Sequence, residues 1–263
     1  MEEILNYVVK KIEDAELKKV KGKPMWYLAI ENIFPDDYYQ EILKYTPKDL
    51  KMYHPLSEQY TDRFKYELAY GENCNESLAT LNEMSGDMYN FWKDFQATFV
   101  EKEDLLNSFL QKYKEYIPKF DANIGINCRL SKDLKGYSIG VHTDRRNKII
   151  SALFYTPNRT DKAILKEWGT QVLTPKSDYF SHTTEKHHAY NKDGSHNDFD
   201  LYDWVECKHN SMFSWVVTQQ SYHGVPPITI DGIRDTIAFF GKAKNNWQRR
   251  KLYGEDIIFY ERK

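Results

Sequence analysis

A histidine and an aspartate stand two residues apart in the segment GYSIGVHTDRR, at positions His142 and Asp144. The residues before them are typical of a β-strand, and side chains at i and i+2 of a strand point to the same face. One imidazole and one carboxylate can therefore contact the same metal ion. A second imidazole from elsewhere in the chain would complete a ligand set that covers one face of an Fe(II) ion and leaves the opposite positions open for oxygen chemistry.

A second His-x-Asp triplet, His196 to Asp198, shows that the triplet alone is a weak signal. This second triplet lies in KDGSHNDFD, a polar segment rich in turn-forming residues. The first triplet is followed by KIISALFYT, which has the β-branched and aromatic residues of a buried strand. Because metal ligands need rigid elements beneath them, we prefer His142 and Asp144 as the ligands.

The segment HGVPPITIDGIR supplies a candidate third ligand, His223, and ends on Arg234, which opens a predicted strand. This segment resembles the H-x-V-x-P…G-x-R segment of the 2-oxoglutarate/Fe(II) oxygenase superfamily, especially its prolyl-4-hydroxylase-like branch. The resemblance implies that His223 is the third iron ligand, beside His142 and Asp144. It also implies that Arg234 binds the distal carboxylate of 2-oxoglutarate. Arginine suits that role because its planar guanidinium binds a carboxylate bidentately and keeps its charge.

Other segments carry the same resemblance, which covers residues 25–45 and 120–245. IENIFPDDYYQEIL is similar to the family's strand–F-P-x-x–helix opening, and GYSIGVHTD is similar to its G-x(5)-H-x-D segment. The family's 2-oxoglutarate-binding tyrosine has no counterpart in NCRLSKDLK, so Tyr155, late on the following strand, is our candidate for the second contact. Thr236 shares a strand face with Arg234, so its hydroxyl can join the same carboxylate site.

The resemblance implies an oxidoreductase, specifically a dioxygenase that hydroxylates its substrate with Fe(II), 2-oxoglutarate and O2 and releases succinate and CO2. Ascorbate is a candidate reductant. The sequence does not identify the substrate, which is a small molecule or a peptidyl group. Two other functions stay open. A cupin-like metal enzyme without 2-oxoglutarate chemistry has no need of Arg234, and a non-catalytic jelly-roll binding module binds no 2-oxoglutarate.

Two groups of residues near the metal motif have more than one interpretation. Arg145 and Arg146 directly follow the motif and are either solvated charges or contacts to an anionic substrate. The polar segment 176–199 contains four histidines: His182, His187, His188 and His196. We interpret this segment as a solvated loop or as a lid over the substrate. A second metal site is less favoured, because no helix or strand is predicted to fix the histidines.

Helical periodicity dominates the N-terminal part of the chain. Apolar residues recur at helical spacing over residues 3–18, 34–45 and 74–117. The stretch MWYLAIENI, at 25–33, indicates a strand between the first two helices. Residues 48–73 show no clear pattern.

After Phe120 the hydrophobic period changes from that of helices to that of strands. Short β-rich segments separated by turn residues predict a closed sandwich or jelly roll. The candidate strands are 122–130, 136–142, 148–156, 168–175, 200–208, 211–218, 234–242 and 256–263.

We therefore expect an α+β fold with a β-dominated core. The core is predicted to be a double-stranded β-helix (a cupin-like jelly roll) with the N-terminal helices packed on one sheet. A single oxygenase domain should span 1–263, mainly helical over 1–119 and forming the jelly-roll catalytic core over 120–263.

Composition and charge narrow the partners and the compartment. The chain has 37 basic and 39 acidic residues, a formal net charge of −2, which gives no reason to expect nucleic acid or an anionic membrane as a partner. Its three cysteines are far apart in the sequence, and the chain has no CxxC motif. Both facts argue against a disulfide framework or a zinc knuckle. No signal peptide and no bilayer-length apolar run is present. We expect a cytoplasmic protein, and the sequence does not indicate its oligomeric state.

Overall fold

The structure is a computed structural model, which describes residues 1–23, 25–57, 60–69, 81–117, 124–145, 147–157, 161–177, 187–218 and 220–243. These residues form twelve strands and five α-helices. The strands are β1 (Lys18–Lys19), β2 (Trp26–Glu31), β3 (His54–Ser57), β4 (Tyr60–Ala69), β5 (Ile124–Asp133), β6 (Ile139–His142), β7 (Lys148–Tyr155), β8 (Thr170–Pro175), β9 (Phe199–Val205), β10 (Ser211–Val216), β11 (His223–Val225) and β12 (Arg234–Ala243).

Most of the helices lie in the first half of the chain. They are α1 (Glu2–Asp14), α2 (Asp36–Tyr45), α3 (Gly86–Phe95), α4 (Asp104–Lys112) and α5 (Lys162–Glu167). Helix α1 buries Leu5, Val8 and Ile12, the apolar stripe that its sequence spacing predicts. Helix α2 starts directly after Pro35 and has two acidic residues in its first turn, which favours helix initiation there.

The strands form two antiparallel sheets. The larger sheet has the order β1-β2-β10-β7-β12-β5-β4-β3, and the smaller has the order β6-β11-β8-β9. Strand β12 lies at the centre of the larger sheet, where it pairs with β5 along its whole length and with β7 along most of it. The protein is therefore β-dominated, as predicted.

The outer face of the larger sheet is covered by helices. Phe154 and Phe239, which point outward from β7 and β12, belong to one apolar core with Leu5 of α1, Trp92 of α3 and Phe109 of α4. The predicted packing of the N-terminal helices on one sheet is present in the structure. The helices thus stiffen the larger sheet, which supports the residues on its other face.

The inner face of the larger sheet packs against the smaller sheet. Leu153 and Tyr155 of β7 and Phe240 of β12 belong to a second apolar core, together with Val172 and Val225 of the smaller sheet. Residues of β7 and β12 alternate between the two cores, because successive side chains of a strand point to opposite faces. Polar residues on the inner face are thus enclosed between the two sheets.

Most predicted strands after Phe120 are confirmed, and two strands lie in an N-terminal stretch for which the sequence predicts no element. Residues 48–73, which lack a clear pattern in the sequence, contain β3 and β4, and β4 extends the larger sheet beside β5. The apolar residues of β4 face the helices and its charged residues face the smaller sheet's side. With a charged residue at every second position, the sequence of β4 resembles that of a solvent-exposed segment. The short strand β11 was not predicted. The predicted strand 256–263 lies outside the described residues.

Two further expectations concern the cysteines and membrane spans. Cys128 and Cys207 are free and buried, and Cys74 lies outside the described residues. Within the described ranges, none of the helices combines the length and the apolar character that crossing a bilayer requires.

Candidate metal centre

Two strands of the smaller sheet bring the three predicted metal ligands together. His142 ends β6 and His223 begins β11, and the two residues are direct partners across these antiparallel strands. Asp144 follows His142 by two residues. The nitrogen and oxygen ligand atoms of the three side chains lie within 4.8 Å of one another, and all three residues are buried. The ligands predicted from the sequence thus form one candidate metal site.

Backbone carbonyls fix which ring nitrogen of each histidine can bind a metal. Nδ1 of His142 lies 2.8 Å from the carbonyl oxygen of Gly140, and Nδ1 of His223 lies 3.0 Å from that of Ser221. A carbonyl only accepts, so each Nδ1 carries a proton and each Nε2 presents a lone pair. Burial lowers the pKa of both imidazoles below the ordinary histidine value. Both rings are therefore neutral at neutral pH, the form that binds metal.

The carboxylate of Asp144 is held by two side chains. Lys148 Nζ lies 2.5 Å from Oδ1, and Ser151 Oγ donates a hydrogen bond of 2.7 Å to Oδ2. Burial opposes ionisation of Asp144, but the Lys148 ammonium and the two histidines together outweigh it and lower the pKa of the carboxyl below its ordinary value. Asp144 is therefore an anionic ligand of fixed orientation.

This donor set fits Fe(II). Two neutral imidazoles and one carboxylate on one side of an ion are the facial ligands of non-haem iron sites that activate oxygen. Trp215 packs against one ligand, with its ring centroid 4.4 Å from that of His223, and this aromatic wall restricts access of water to that side of the site.

Replacing Lys148 by Met should destabilise the metal-free protein. Lys148 and Asp144 form a buried ion pair, with side-chain exposures of 16% and 7%, and removing one partner of such a pair costs about 3–5 kcal/mol. A divalent ion bound at Asp144 supplies the missing positive charge, so Mn(II) should raise the melting temperature of Lys148→Met more than that of the wild type. Thermal unfolding with and without Mn(II) measures both effects. An equal metal-induced shift in the two proteins would contradict this account of Asp144.

Two histidines of the 176–199 segment, His187 and His188, lie directly against the metal ligands. The ring of His187 stacks on that of His142, with centroids 4.4 Å apart. The backbone of His188 exchanges two hydrogen bonds with Val141 of β6, of 2.8 and 2.9 Å. This bridge adds a short pairing to the edge of the smaller sheet. The segment is thus held by strand pairing, which the sequence did not predict, while His182 lies outside the described residues.

The close approach of this segment requires glycine at position 140. A β-carbon on Gly140 would stand 2.5 Å from the carbonyl oxygen of His188. Gly140→Ala should therefore open the bridge, at a cost of about 1–3 kcal/mol typical of overpacking. Hydrogen exchange of the Val141 and His188 amides, together with urea unfolding, measures the loss. Gly241→Ala is the control, because its only close contact would be with the end of the flexible Leu106 side chain, at 2.9 Å, while Ile124 and Ile150 lie at ordinary contact distances. Unchanged protection of both amides in Gly140→Ala would refute the bridge.

Arg234 is buried on the inner face and is already bonded to the protein. It donates from Nε to the carbonyl of Trp168 at 2.5 Å, from Nη1 to Asp133 at 2.7 Å and from Nη2 to Thr170 at 3.1 Å. Asp133 also pairs with Arg63, whose Nε lies 3.0 Å from Oδ1. We call Arg63, Asp133 and Arg234 the arginine–aspartate cluster. Two guanidinium groups share one carboxylate, so the cluster keeps one uncompensated positive charge.

Hydroxyl groups lie beside Arg234 on neighbouring strands. Thr236 is the direct partner of Ser131 on one side and of Tyr155 on the other. Within the described ranges, the buried hydroxyl oxygens of Thr236 and Ser131 have no hydrogen-bond partner. The hydroxyl of Tyr155 lies 2.7 Å from that of Thr170. Buried hydroxyls of this kind are usually satisfied by a ligand or by water, so a polar ligand fits beside Arg234.

The remaining candidates are exposed beside the ligands, engaged in a local turn, or outside the description. Arg145 is exposed, and Arg146 is not among the described residues. In the second His-x-Asp triplet, Nδ1 of His196 accepts a hydrogen bond of 3.1 Å from the backbone of Asp198, and Asp198 is exposed. That triplet is therefore engaged in a local turn and does not join the three buried ligands.

Sequence reasoning missed several residues of the centre. Asp133 and Arg63 were not singled out, and neither were the two side chains that hold Asp144, Lys148 and Ser151. The sequence gives a weak indication that β4 is a strand, because charged and apolar side chains alternate along it. Only the pairing of β4 with β5, which joins distant parts of the chain, makes those charges face inward.

Comparisons with known proteins agree with this architecture. No protein-family model matches the chain, and no curated protein matches it in sequence. An oxidoreductase of the 2OG-Fe(II) oxygenase family from Burkholderia pseudomallei matches in structure with a TM-score of 0.51 and 11% identity, over 92% of this chain and 91% of that one. A prolyl-4-hydroxylase from Pseudomonas putida matches with a TM-score of 0.50 and 11% identity, over 92% and 100% of the two chains. The resemblance predicted from the sequence is confirmed at the level of the fold: the chain has the fold of these two proteins.

Proposed function

We propose that this chain is a non-haem Fe(II)- and 2-oxoglutarate-dependent dioxygenase that hydroxylates an organic substrate. The observation that carries the proposal is the buried group of two imidazoles and one carboxylate, His142, Asp144 and His223, whose ligand atoms lie within 4.8 Å of one another. The shared fold with an oxygenase and a hydroxylase supports the same function.

The proposed core is a jelly roll built from β5 to β12. Successive strands alternate between the two sheets, except that β8 and β9 pair with each other in the smaller sheet. The order is β5-β12-β7-β10 within the larger sheet and β6-β11-β8-β9 in the smaller. A chain that wraps in this way forms a double-stranded β-helix. Strands β1 to β4 then extend the larger sheet at its two edges. The proposed single domain follows, because helices and strands of both halves share one apolar core.

The proposed role of the protein is to hold the reactants and to fix their charges. Fe(II) and 2-oxoglutarate, when bound, supply the oxidising power for attack on a C–H bond, with release of succinate and CO2. His142 and His223 present neutral Nε2 atoms, and Asp144 presents a carboxylate that Lys148 and Ser151 hold in place. The apolar residues between the sheets exclude water from the site.

The distal carboxylate of 2-oxoglutarate is assigned to the arginine–aspartate cluster. Three of the five N–H groups of Arg234 bind Trp168, Asp133 and Thr170, which leaves two as donors. The cluster's uncompensated positive charge complements a carboxylate, and the buried hydroxyl of Thr236 is available to donate. Tyr155, with its ring 5.3 Å from the Arg234 guanidinium carbon, forms the apolar wall of this subsite.

The proposal is tested by a substrate screen that measures succinate. The iron-loaded chain is incubated with 2-oxoglutarate, O2 and candidate small molecules or peptides, and succinate release is compared with the background without substrate. His223→Ala is the matched control, since it removes one ligand atom from the metal site. Release that depends on Fe(II), on substrate and on His223 supports the proposal. Succinate release that is equal in His223→Ala would refute it.

A further inference from the structure

Arg129 is a cation of the inner face that the proposed mechanism does not use. It lies in the middle of β5 and shares a face with Ser131 and Asp133. Its Nε is buried and lacks a hydrogen-bond partner among the residues that the structure describes. Over the same ranges no carboxylate forms an ion pair with it. Glu67, its direct partner on β4, instead pairs with Lys65 at 2.9 Å.

The position of Arg129 is between the metal ligands and the arginine–aspartate cluster. Its guanidinium carbon lies 5.3 Å from the ring centroid of Phe240, and Nζ of Lys148 lies 3.9 Å from the same centroid. Lys148 in turn contacts the metal ligand Asp144. On its other side, Arg129 is close enough to Arg63 for the two charges to repel each other. The side chain therefore faces the space in which reactants must meet.

Two carboxylates favour the charge of Arg129, Glu67 and Asp133, but each of them pairs with another cation. Lys148 is neutralised by Asp144, and Lys65 by Glu67. In the proposed complex, the distal carboxylate of 2-oxoglutarate neutralises the arginine–aspartate cluster, and its other carboxylate lies at the metal. Burial and the charge of Arg63 lower the pKa of Arg129 to about 10, so the side chain is still protonated at neutral pH.

A guanidinium whose Nε is buried without an acceptor, and which faces the charge of Arg63, is stabilised when an anion binds it. Both carboxylates of 2-oxoglutarate already have sites, so the missing anion must arrive on another molecule. We propose that Arg129 binds an anionic oxygen group of the substrate, a carboxylate or a phosphate, and so selects acidic substrates. The planar fork of arginine suits either group. This inference rests on the proposed function, and it names the substrate class of that same site.

Arg129 is a better candidate for this contact than the arginine next to the metal motif. Arg145 is exposed, where water and salt screen its charge and make a contact to an anion weak. Arg129 lies between two sheets, where the same contact is screened less and a matched anion is favoured more. The two arginines therefore make different predictions for substrate binding.

The test uses the whole chain loaded anaerobically with Fe(II) and 2-oxoglutarate, and hexanoate as the probe. Hexanamide has the same shape without the charge, and inorganic phosphate distinguishes the two kinds of anion. Calorimetric titration is carried out on the wild type, Arg129→Met, Arg129→Lys and Arg145→Met. Methionine retains the packing of the arginine stem against Phe240. Affinity for 2-oxoglutarate is measured first in every variant, so that damage to the cosubstrate site is seen separately.

The expected result is that the loaded wild type prefers hexanoate or phosphate over hexanamide by about tenfold or more, the scale of one charged contact in a partly dry site. Arg129→Met should lose this preference, Arg129→Lys should restore part of it, and Arg145→Met should retain it. All variants should keep wild-type affinity for 2-oxoglutarate.

Several results would overturn the inference. They are an absence of any anion preference in the loaded wild type, a preference that survives in Arg129→Met, and a loss of 2-oxoglutarate affinity in Arg129→Met, which would assign Arg129 to the cosubstrate. Failure of the wild type to bind 2-oxoglutarate at all would instead refute the proposed function, and this inference with it.

Discussion

Alanine at His142, Asp144 or His223 is expected to weaken Fe(II) binding by more than about a hundredfold, because removal of residues that only support a metal ligand already costs 10- to 100-fold. Each side chain offers one ligand atom to the same point between the sheets. The measurement is the iron content of each purified variant after anaerobic reconstitution and desalting. The largest loss is expected for Asp144→Ala, since it also leaves the ammonium of Lys148 buried without its partner.

The second His-x-Asp triplet provides the control for this prediction. His196→Ala and Asp198→Ala change the same residue types in a local turn, so both variants should keep full iron occupancy. Full occupancy in all three variants of the buried group would show that the metal, if one binds, is held elsewhere. Loss of iron in His196→Ala would indicate that histidines of the 176–199 segment bind the metal.

Loss of Arg234 is expected to remove 2-oxoglutarate binding while iron stays bound. Removing a hydrogen-bonded charge partner from a buried site costs on the order of 2–5 kcal/mol of binding free energy. Arg234→Met leaves Asp133 paired with Arg63. It therefore removes the uncompensated positive charge of the cluster without leaving a buried carboxylate unpaired, and it is the variant that tests the role. Equilibrium dialysis of 2-oxoglutarate against iron-loaded protein measures the effect.

Arg234→Lys is the informative companion variant. A lysine keeps the charge but cannot make the three separate hydrogen bonds of the guanidinium to Trp168, Asp133 and Thr170. We expect it to restore little of the 2-oxoglutarate affinity. Wild-type affinity in Arg234→Met would mean that Arg234 serves only the packing between the sheets, and it would favour a cupin-like metal enzyme without 2-oxoglutarate chemistry.

The sequence predicted the metal ligands because their signals are local. His142 and Asp144 lie at the end of a strand whose period is visible over a few residues, and His223 lies in a motif with its own turn residues. The strands β7, β10 and β12 are rich in β-branched and aromatic residues, and both faces of each strand are buried. Local patterns of this kind survive folding unchanged.

The surroundings of the ligands could not be predicted in the same way. Arg63 and Asp133 are charged residues at alternate positions of strands, a pattern that usually marks a solvated face. They are buried because β4 and β5 pair and because Tyr137 and Arg234 contact them. The bridge between Val141 and His188 likewise joins two segments that are distant in sequence. Such contacts depend on the closure of the whole fold, which no short window of sequence contains.

The most direct test of the central claim is an anaerobic titration of the iron-loaded chain with 2-oxoglutarate, followed by visible absorption. Chelation of Fe(II) by the keto acid produces a metal-to-ligand charge-transfer band that neither component shows alone. Saturation of this band at one 2-oxoglutarate per chain in the wild type, and its absence in His223→Ala, are the results that we expect. A wild-type protein that binds Fe(II) at full occupancy but develops no such band at saturating 2-oxoglutarate would contradict the proposed function.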